Sequence, residues 1–272
     1  MRIDIHTHAF PQAIAAKGLA AIEHHYGVRP VCSGVVGDLL KRSAQAGFDR
    51  VVVLCLALGQ AQVIPANNWA LALKRDHSDR IEPFGSLHPD FAGWEAELAR
   101  LKTAGVRGLK FHCEFQGFSV RDPRFRDMIE AAWRDFILLF HVGRPGRHAA
   151  VPELSTGPRD MAGLLRDFPD ARIIAAHLGG WSQWDQVQEH LLGRDIFLDT
   201  ASTAPYVAPE VFRRILSGHA RERLLYGSDW PIHDPVEDLG LLQAKLDAAS
   251  RDTGRDMNVL LANAAALFPA AC

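Results

Sequence analysis

The 272-residue sequence has no C-x-x-C pair, no glycine-rich turn after its first apolar segment and no apolar run approaching 18 residues. Each absence excludes something. Four scattered cysteines, Cys32, Cys55, Cys113 and Cys272, make neither a disulfide framework nor a thiolate zinc site, and Cys55 lies in an apolar run where a small buried side chain suffices. Without a long apolar run there is no membrane-spanning helix. The opening MRIDIHTHAFP puts Asp4, His6 and His8 where a secretory signal needs an apolar core, so a reducing cytoplasm is the expected address. Charge of one sign is also not in excess. Thirty basic residues against 32 acidic leave a net charge of -2, too weak a field to draw in nucleic acid or an acidic membrane. The expected partner is a small-molecule substrate.

What is present is alternation. Short apolar, β-branched runs at 3–5, 51–58, 81–87, 106–111, 136–140, 172–176, 196–198 and 223–226 read as eight strands. Between them, 35–46, 69–77, 94–104, 124–133, 161–168 and 211–216 have helical spacing. Strands rich in Val, Ile and Leu, each followed by a helix, suit a parallel sheet covered on both faces. With no linker and no break in composition, the pattern predicts an α/β fold, a (β/α)8 TIM barrel forming one domain over 1–272. An open doubly wound sheet is disfavoured because His-Thr-His occupies the place of its phosphate turn. The connection at 9–34 is longer than the others and reads as a flap over the barrel mouth.

Chemistry in such a barrel gathers at the carboxyl ends of the strands. There the sequence places His6 and His8, then Lys110 and His112, then His141, His177 and Asp229. Side chains two apart on a strand share a face, so His6 and His8 are expected to point together into the barrel, as are Lys110 and His112. A lone histidine is usually structural. Five residues, His6, His8, His141, His177 and Asp229, at the ends of four strands of one barrel point instead to a shared cation. Nitrogen and carboxylate donors without thiolates suit zinc, and admit manganese, iron, cobalt or nickel; an all-oxygen cage is disfavoured.

Other rim residues keep two readings each. Lys110 could bind a substrate carboxylate, pair with Asp4 or Asp229, or be carboxylated to bridge two ions. His112 could touch substrate or support a ligand, and Glu114 could be a ligand or a solvated loop residue. Arg144 and Arg147 could hold a carboxylate or brace their loop. His233 could line the mouth, and Trp181, Trp184 and Trp230 could wall a pocket or cap the core.

The segments IDIHTHAFP, RGLKFHCEFQGF, LLFHVGRPG, ARIIAAHLGG, YGSDWP and NAAALF, in that order, resemble the amidohydrolase superfamily. The similarity is to the amidohydrolase-related branch that includes aminocarboxymuconate-semialdehyde and γ-resorcylate decarboxylases. The resemblance implies one divalent metal held by His6, His8, His141 and Asp229, with His177 catalytic and a homodimer as the common assembly. The expected reaction is metal-assisted hydrolysis of a small carboxylate-bearing ester, lactone or amide. In it Asp229 handles the water proton, His177 polarises the substrate carbonyl, and Lys110, His112 or Arg144 orients an anionic group. The alternatives are non-oxidative decarboxylation at the same ion and a catalytically silent metal-binding barrel.

Overall fold

Eight short apolar runs become eight parallel strands: β1 (Ile3–Thr7), β2 (Arg50–Leu54), β3 (Ile81–Gly85), β4 (Gly108–Phe111), β5 (Ile137–Phe140), β6 (Ile173–Ala175), β7 (Phe197–Asp199) and β8 (Leu224–Leu225). In this computed structural model, which describes residues 1–268, they follow one another around the sheet in sequence order. The result is the TIM barrel that the alternation predicts. Cys272 lies outside the described residues; Cys32, Cys55 and Cys113 are free thiols. None of the described helices is long and apolar enough to cross a membrane.

The helices are α1 (Ala15–Tyr26), α2 (Val36–Gln45), α3 (Val63–Asp76), α4 (Trp94–Thr103), α5 (Cys113–Gln116), α6 (Pro123–Ala132), α7 (Pro158–Asp167), α8 (Trp184–His190), α9 (Pro209–Gly218), α10 (Pro235–Thr253) and α11 (Leu260–Asn263). The 9–34 connection therefore carries a helix, α1, that the sequence reading took for a flap alone. Its buried positions Ala15, Ile22 and His25 share one face, and the exposed His24 beside them obscures the pattern. Gly18 lets the Phe10 ring lie against the helix, where a Cβ would come within 2.8 Å. Gly27, in the left-handed conformation at φ 69°, ends α1.

Two apolar layers hold the barrel. Ile3, Ile5, Val52, Leu54, Phe84, Ile137, Leu139 and Ile174 fill its interior, with Leu267 and Phe268 from the last described turn packed among them. The alternate residues, such as Leu109, Phe111, Leu138, Phe140, Leu198 and Leu224, face the helices. Fully burying one such side chain is worth about 1.5–3 kcal/mol.

Simple alternation cannot place Ile3, Ile5, His6 and His8 all inside. The pairing of β1 with β2 resolves this: Asp4 lies opposite Val51 but Thr7 opposite Val53, so β1 carries one extra residue. This bulge shifts the phase, and the histidines turn inward after the isoleucines have already done so. It also takes backbone donors out of the ladder. The Asp4 carboxylate receives two of them through Oδ1, the His6 N–H at 3.2 Å and the Ser228 N–H at 3.0 Å.

Ser228 belongs to the segment after β8, and this is where the barrel closes. Ile5 N–H donates to the Tyr226 carbonyl, Asp229 N–H to the His6 carbonyl and His8 N–H to the Trp230 carbonyl. No side chain fits at Gly227, where a Cβ would stand 2.7 Å from the His6 Cβ. Asp4 is wholly buried, and that burial pushes its carboxyl up to about 7 against the pull of its Ser228 and His6 hydrogen bonds.

Asp4→Ala orphans two buried N–H groups and should lower the unfolding free energy by about 2–4 kcal/mol. Asp4→Asn keeps the accepting oxygen and should stay within about 1 kcal/mol of wild type. Denaturant titration of both variants checks this, and equal losses would mean that the carboxylate does not brace the bulge.

Candidate metal centre

The closure of β8 on β1 brings His6, His8 and Asp229 together, their ligand atoms within 4.8 Å of one another. Hydrogen bonds fix how each is presented. His6 Nδ1 is 2.9 Å from Asp199 Oδ2, so its proton points at that carboxylate and Nε2 carries the free electron pair. His8 Nδ1 lies 3.3 Å from the Leu54 carbonyl, which likewise leaves Nε2 free. Both Nε2 atoms face the same oxygen, Oδ1 of Asp229, at 3.5 and 3.7 Å. Burial and the nearby Lys110 hold both imidazoles neutral, His6 well below its ordinary value and His8 down to about 4.

Asp229 is presented as deliberately. Its Oδ2 accepts the Ser202 hydroxyl at 2.5 Å, and Ser202 in turn lies 3.1 Å from His233 Nε2. Burial opposes ionisation of this carboxyl, and the Ser202 hydroxyl donated to Oδ2 favours it. Asp229, Ser202 and His177 all adopt left-handed backbone at φ 63°, 55° and 61°. Such strain costs about 1–3 kcal/mol per residue and collects where a side chain must be aimed.

Three electron-pair donors thus converge, the protons of His6 and His8 being committed to Asp199 and Leu54, with the Lys110 ammonium 3.5 Å from His6 Nε2. Nitrogen and carboxylate donors of this kind fit a divalent transition metal. His141 and His177 stand beside this compact group rather than within it. His177 Nδ1 donates to the Ala201 carbonyl at 2.8 Å, which leaves the Nε2 electron pair toward His141 Nδ1 at 3.0 Å. His141 therefore donates from Nδ1 and keeps a free electron pair at Nε2, a buried atom without a partner among the described residues. His177 thus donates to the Ala201 carbonyl and faces His141 through Nε2.

The remaining rim residues sort as follows. Lys110 Nζ is 3.5 Å from His6 Nε2, and burial lowers its pKa to about 8 against the opposing charges of Asp199 and Asp229. His112 stacks on His141 with ring centroids 3.8 Å apart. Arg144 is exposed at the cavity mouth. Glu114 turns away from the donors to pair with His25 at 3.2 Å. Trp181 lines the cavity, while Trp184 donates to the His177 carbonyl and Trp230 is buried in the core. The cavity measures about 730 Å³ and is walled mainly by apolar side chains, among them Phe10, Leu54, Trp69, Phe115 and Trp181.

Three residues have no place in the sequence analysis: Ser202, which holds Asp229, Asp199 and Tyr26. Asp199 ends β7 and orients His6; it obeys the same strand-end rule as the residues that were found. Tyr26 has no such signal, because it reaches the site from α1.

An eight-stranded barrel with a nitrogen and carboxylate cluster at its carboxyl rim defines a class of metal-site TIM barrels. The chain belongs to the amidohydrolase family, whose model matches residues 3–270. No curated protein gives a significant match. Solved structures do, at identities that speak for the fold alone. An uncharacterized TIM-barrel protein from Bordetella bronchiseptica aligns with TM-score 0.72 at 15% identity, covering 97% of this chain and 99% of that one. The D314N mutant of 5-carboxyvanillate decarboxylase from Novosphingobium aromaticivorans, with bound manganese and 3-methoxy-4-hydroxy-5-nitrobenzoic acid, aligns with TM-score 0.67 at 13% identity, covering 98% and 97%. A probable 2-pyrone-4,6-dicarboxylic acid hydrolase from Acinetobacter baumannii with bound citric acid gives 0.63 at 15% identity, covering 98% of each chain.

Asp199→Asn tests how His6 is presented. Asp199 Oδ1 accepts the N–H groups of His177 and Ala201, so the amide oxygen must stay there and the new NH2 must face His6 Nδ1. That moves the His6 proton to Nε2, among the converging donors. Zinc affinity, read by chelator competition, should fall about 10–100-fold; an unchanged value would show that Asp199 does not set the ring.

Proposed function

We propose that the protein holds one divalent cation through His6, His8 and Asp229, with His141 as the further ligand, and hydrolyses a small carboxylate-bearing ester, lactone or amide. The observation that carries this reading is the convergence of the two Nε2 electron pairs and Asp229 Oδ1 beside an open cavity. Catalytic metal sites keep a position open to substrate, whereas structural ones are closed, so the cavity speaks against a silent barrel. Zinc suits the donors; manganese, iron, cobalt and nickel share the same preferences.

A cation bound there supplies Lewis acidity and acidifies water at neutral pH. The chain's own residues do the rest. Asp229, ionised and steadied by Ser202, accepts the proton of the attacking water and returns it to the leaving atom. Lys110 offers its ammonium to the substrate's carboxylate close to the reacting centre, and Arg144 draws an anion in at the mouth. His177 holds His141 in the tautomer whose Nε2 is free. The apolar walls accept the body of the substrate and exclude competing water.

A second reading, non-oxidative decarboxylation, draws support from the fold neighbour named as a decarboxylase and from the apolar cavity. In that reaction a proton is delivered to carbon as carbon dioxide departs, and the oxygen of water does not enter the product.

Elemental analysis of the purified protein should find close to one equivalent of divalent metal, with occupancy falling sharply in His6→Ala and Asp229→Asn. Full retention in both variants would sink the ligand assignment. Turnover of 2-pyrone-4,6-dicarboxylate and 5-carboxyvanillate in 18O-labelled water separates the two reactions: label in the product means hydrolysis, and carbon dioxide release without label means the lyase.

A further inference from the structure

Tyr26, the last residue of α1, lines the cavity, and its ring lies 5.9 Å from that of His141. Its phenol is governed by His112. The Phe115 N–H can only donate, and it lies 3.3 Å from His112 Nδ1, so that nitrogen accepts. An imidazole that accepts at Nδ1 carries its single ring proton on Nε2. The Nε2–H therefore donates to the Tyr26 oxygen at 2.5 Å. The phenolic proton must point elsewhere, and among the described residues the hydroxyl has no other partner.

The surroundings hold this arrangement in place. His25, one residue before Tyr26, is 3.2 Å from Glu114 and stacks on Phe115 with centroids 4.1 Å apart. Glu114 also accepts the Gly146 N–H at 3.2 Å, and His148 N–H donates to the His25 carbonyl. His25, His112 and Glu114 lie within 4.8 Å of one another in the manner of a cation cage. Both His112 nitrogens are already engaged, however, which leaves this group without a full set of free donors. The cluster is a brace that fixes the end of α1 and the direction of the Tyr26 hydroxyl.

We propose that Tyr26 donates its phenolic proton in a hydrogen bond to an anionic oxygen of the bound substrate, and is therefore a substrate-binding residue of this cavity. Accepting the His112 bond polarises the O–H and strengthens it as a donor. Burial and the charges of Asp229 and Glu114 keep the phenol protonated, so it donates rather than acts as a base. The inference takes the position of the substrate from the reading above, and the test keeps the two apart.

The probe is benzoate, one carboxylate on a flat apolar body, titrated calorimetrically into metal-analysed wild-type protein and Tyr26→Phe, with uncharged benzamide as control. The expected result is a Kd for benzoate raised about 10-fold or more, little change for benzamide, and the same metal content in both proteins. Equal benzoate affinities, equal losses for both ligands, or no benzoate binding to the wild type would overturn the inference. So would 15N spectra of histidine-labelled protein placing the His112 proton on Nδ1. If the wild type carries no metal but the selective loss for benzoate persists, the metal reading fails and the role of Tyr26 stands.

Discussion

One extra residue in the first strand decides what this barrel can hold. Without the bulge between Asp4 and Thr7, β1 would have to choose between filling the interior with Ile3 and Ile5 and presenting His6 and His8 at the rim. With it, the lower part of the barrel is packed by apolar side chains and the upper part is polar. The bulge strands donors that a regular ladder would use, and a buried carboxylate on the same strand receives them. Because Ser228 is one of these donors, the carboxylate also ties the two strands whose meeting closes the barrel. The site is assembled across that seam, so closing the fold and building the site are the same event.

The chemistry depends on tautomers more than on residue types. Histidines at strand ends are common and mostly inert. Here Asp199 and the Leu54 carbonyl consume one proton each, and what remains is a pair of bare nitrogens facing a carboxylate oxygen. The same logic runs through Ala201, His177 and His141, where each bond fixes the next and ends on a buried nitrogen that has no partner among the described residues. Left-handed backbone at His177, Ser202 and Asp229 is the conformational cost of aiming them, offset by a surrounding barrel that leaves these residues no alternative.

Much of this was legible in the sequence. Each of the eight strands lies where an apolar run predicts it, because a two-sided buried sheet tolerates little else. A rule that needs no coordinates, that polar residues at the carboxyl ends of barrel strands share a rim, singles out His6, His8, His141, His177 and Asp229, and the ligand atoms of His6, His8 and Asp229 lie within 4.8 Å of one another. The same rule extends to Asp199, the residue that ends β7 after Phe197 and Leu198. The bulge was not legible, since I-D-I-H-T-H alternates without a flaw and only pairing with β2 exposes the extra residue. Tyr26 was not legible either. It reaches the cavity from a helix whose face is interrupted by Gly18 and His24, and contact between α1 and the end of β4 spans some 86 positions of sequence.

Taken together, the charges around the cavity select its ligand. A cation held by neutral imidazoles and one carboxylate would retain positive charge, and Lys110 would add to it wherever its amine is protonated, below about 8. Asp199 partly balances this from behind His6, out of a ligand's reach. An anion is then the natural occupant, and the apolar walls ask that its charge be confined to one end. In the proposed arrangement the buried Lys110 ammonium and the phenolic proton of Tyr26 would stand near that end, one responding to charge and the other to direction. Lys110 alone would hold any anion of the right size. With the proposed role, the braced Tyr26 hydroxyl would add a constraint of angle, by which the cavity would tell a carboxylate presented correctly from one that is merely present.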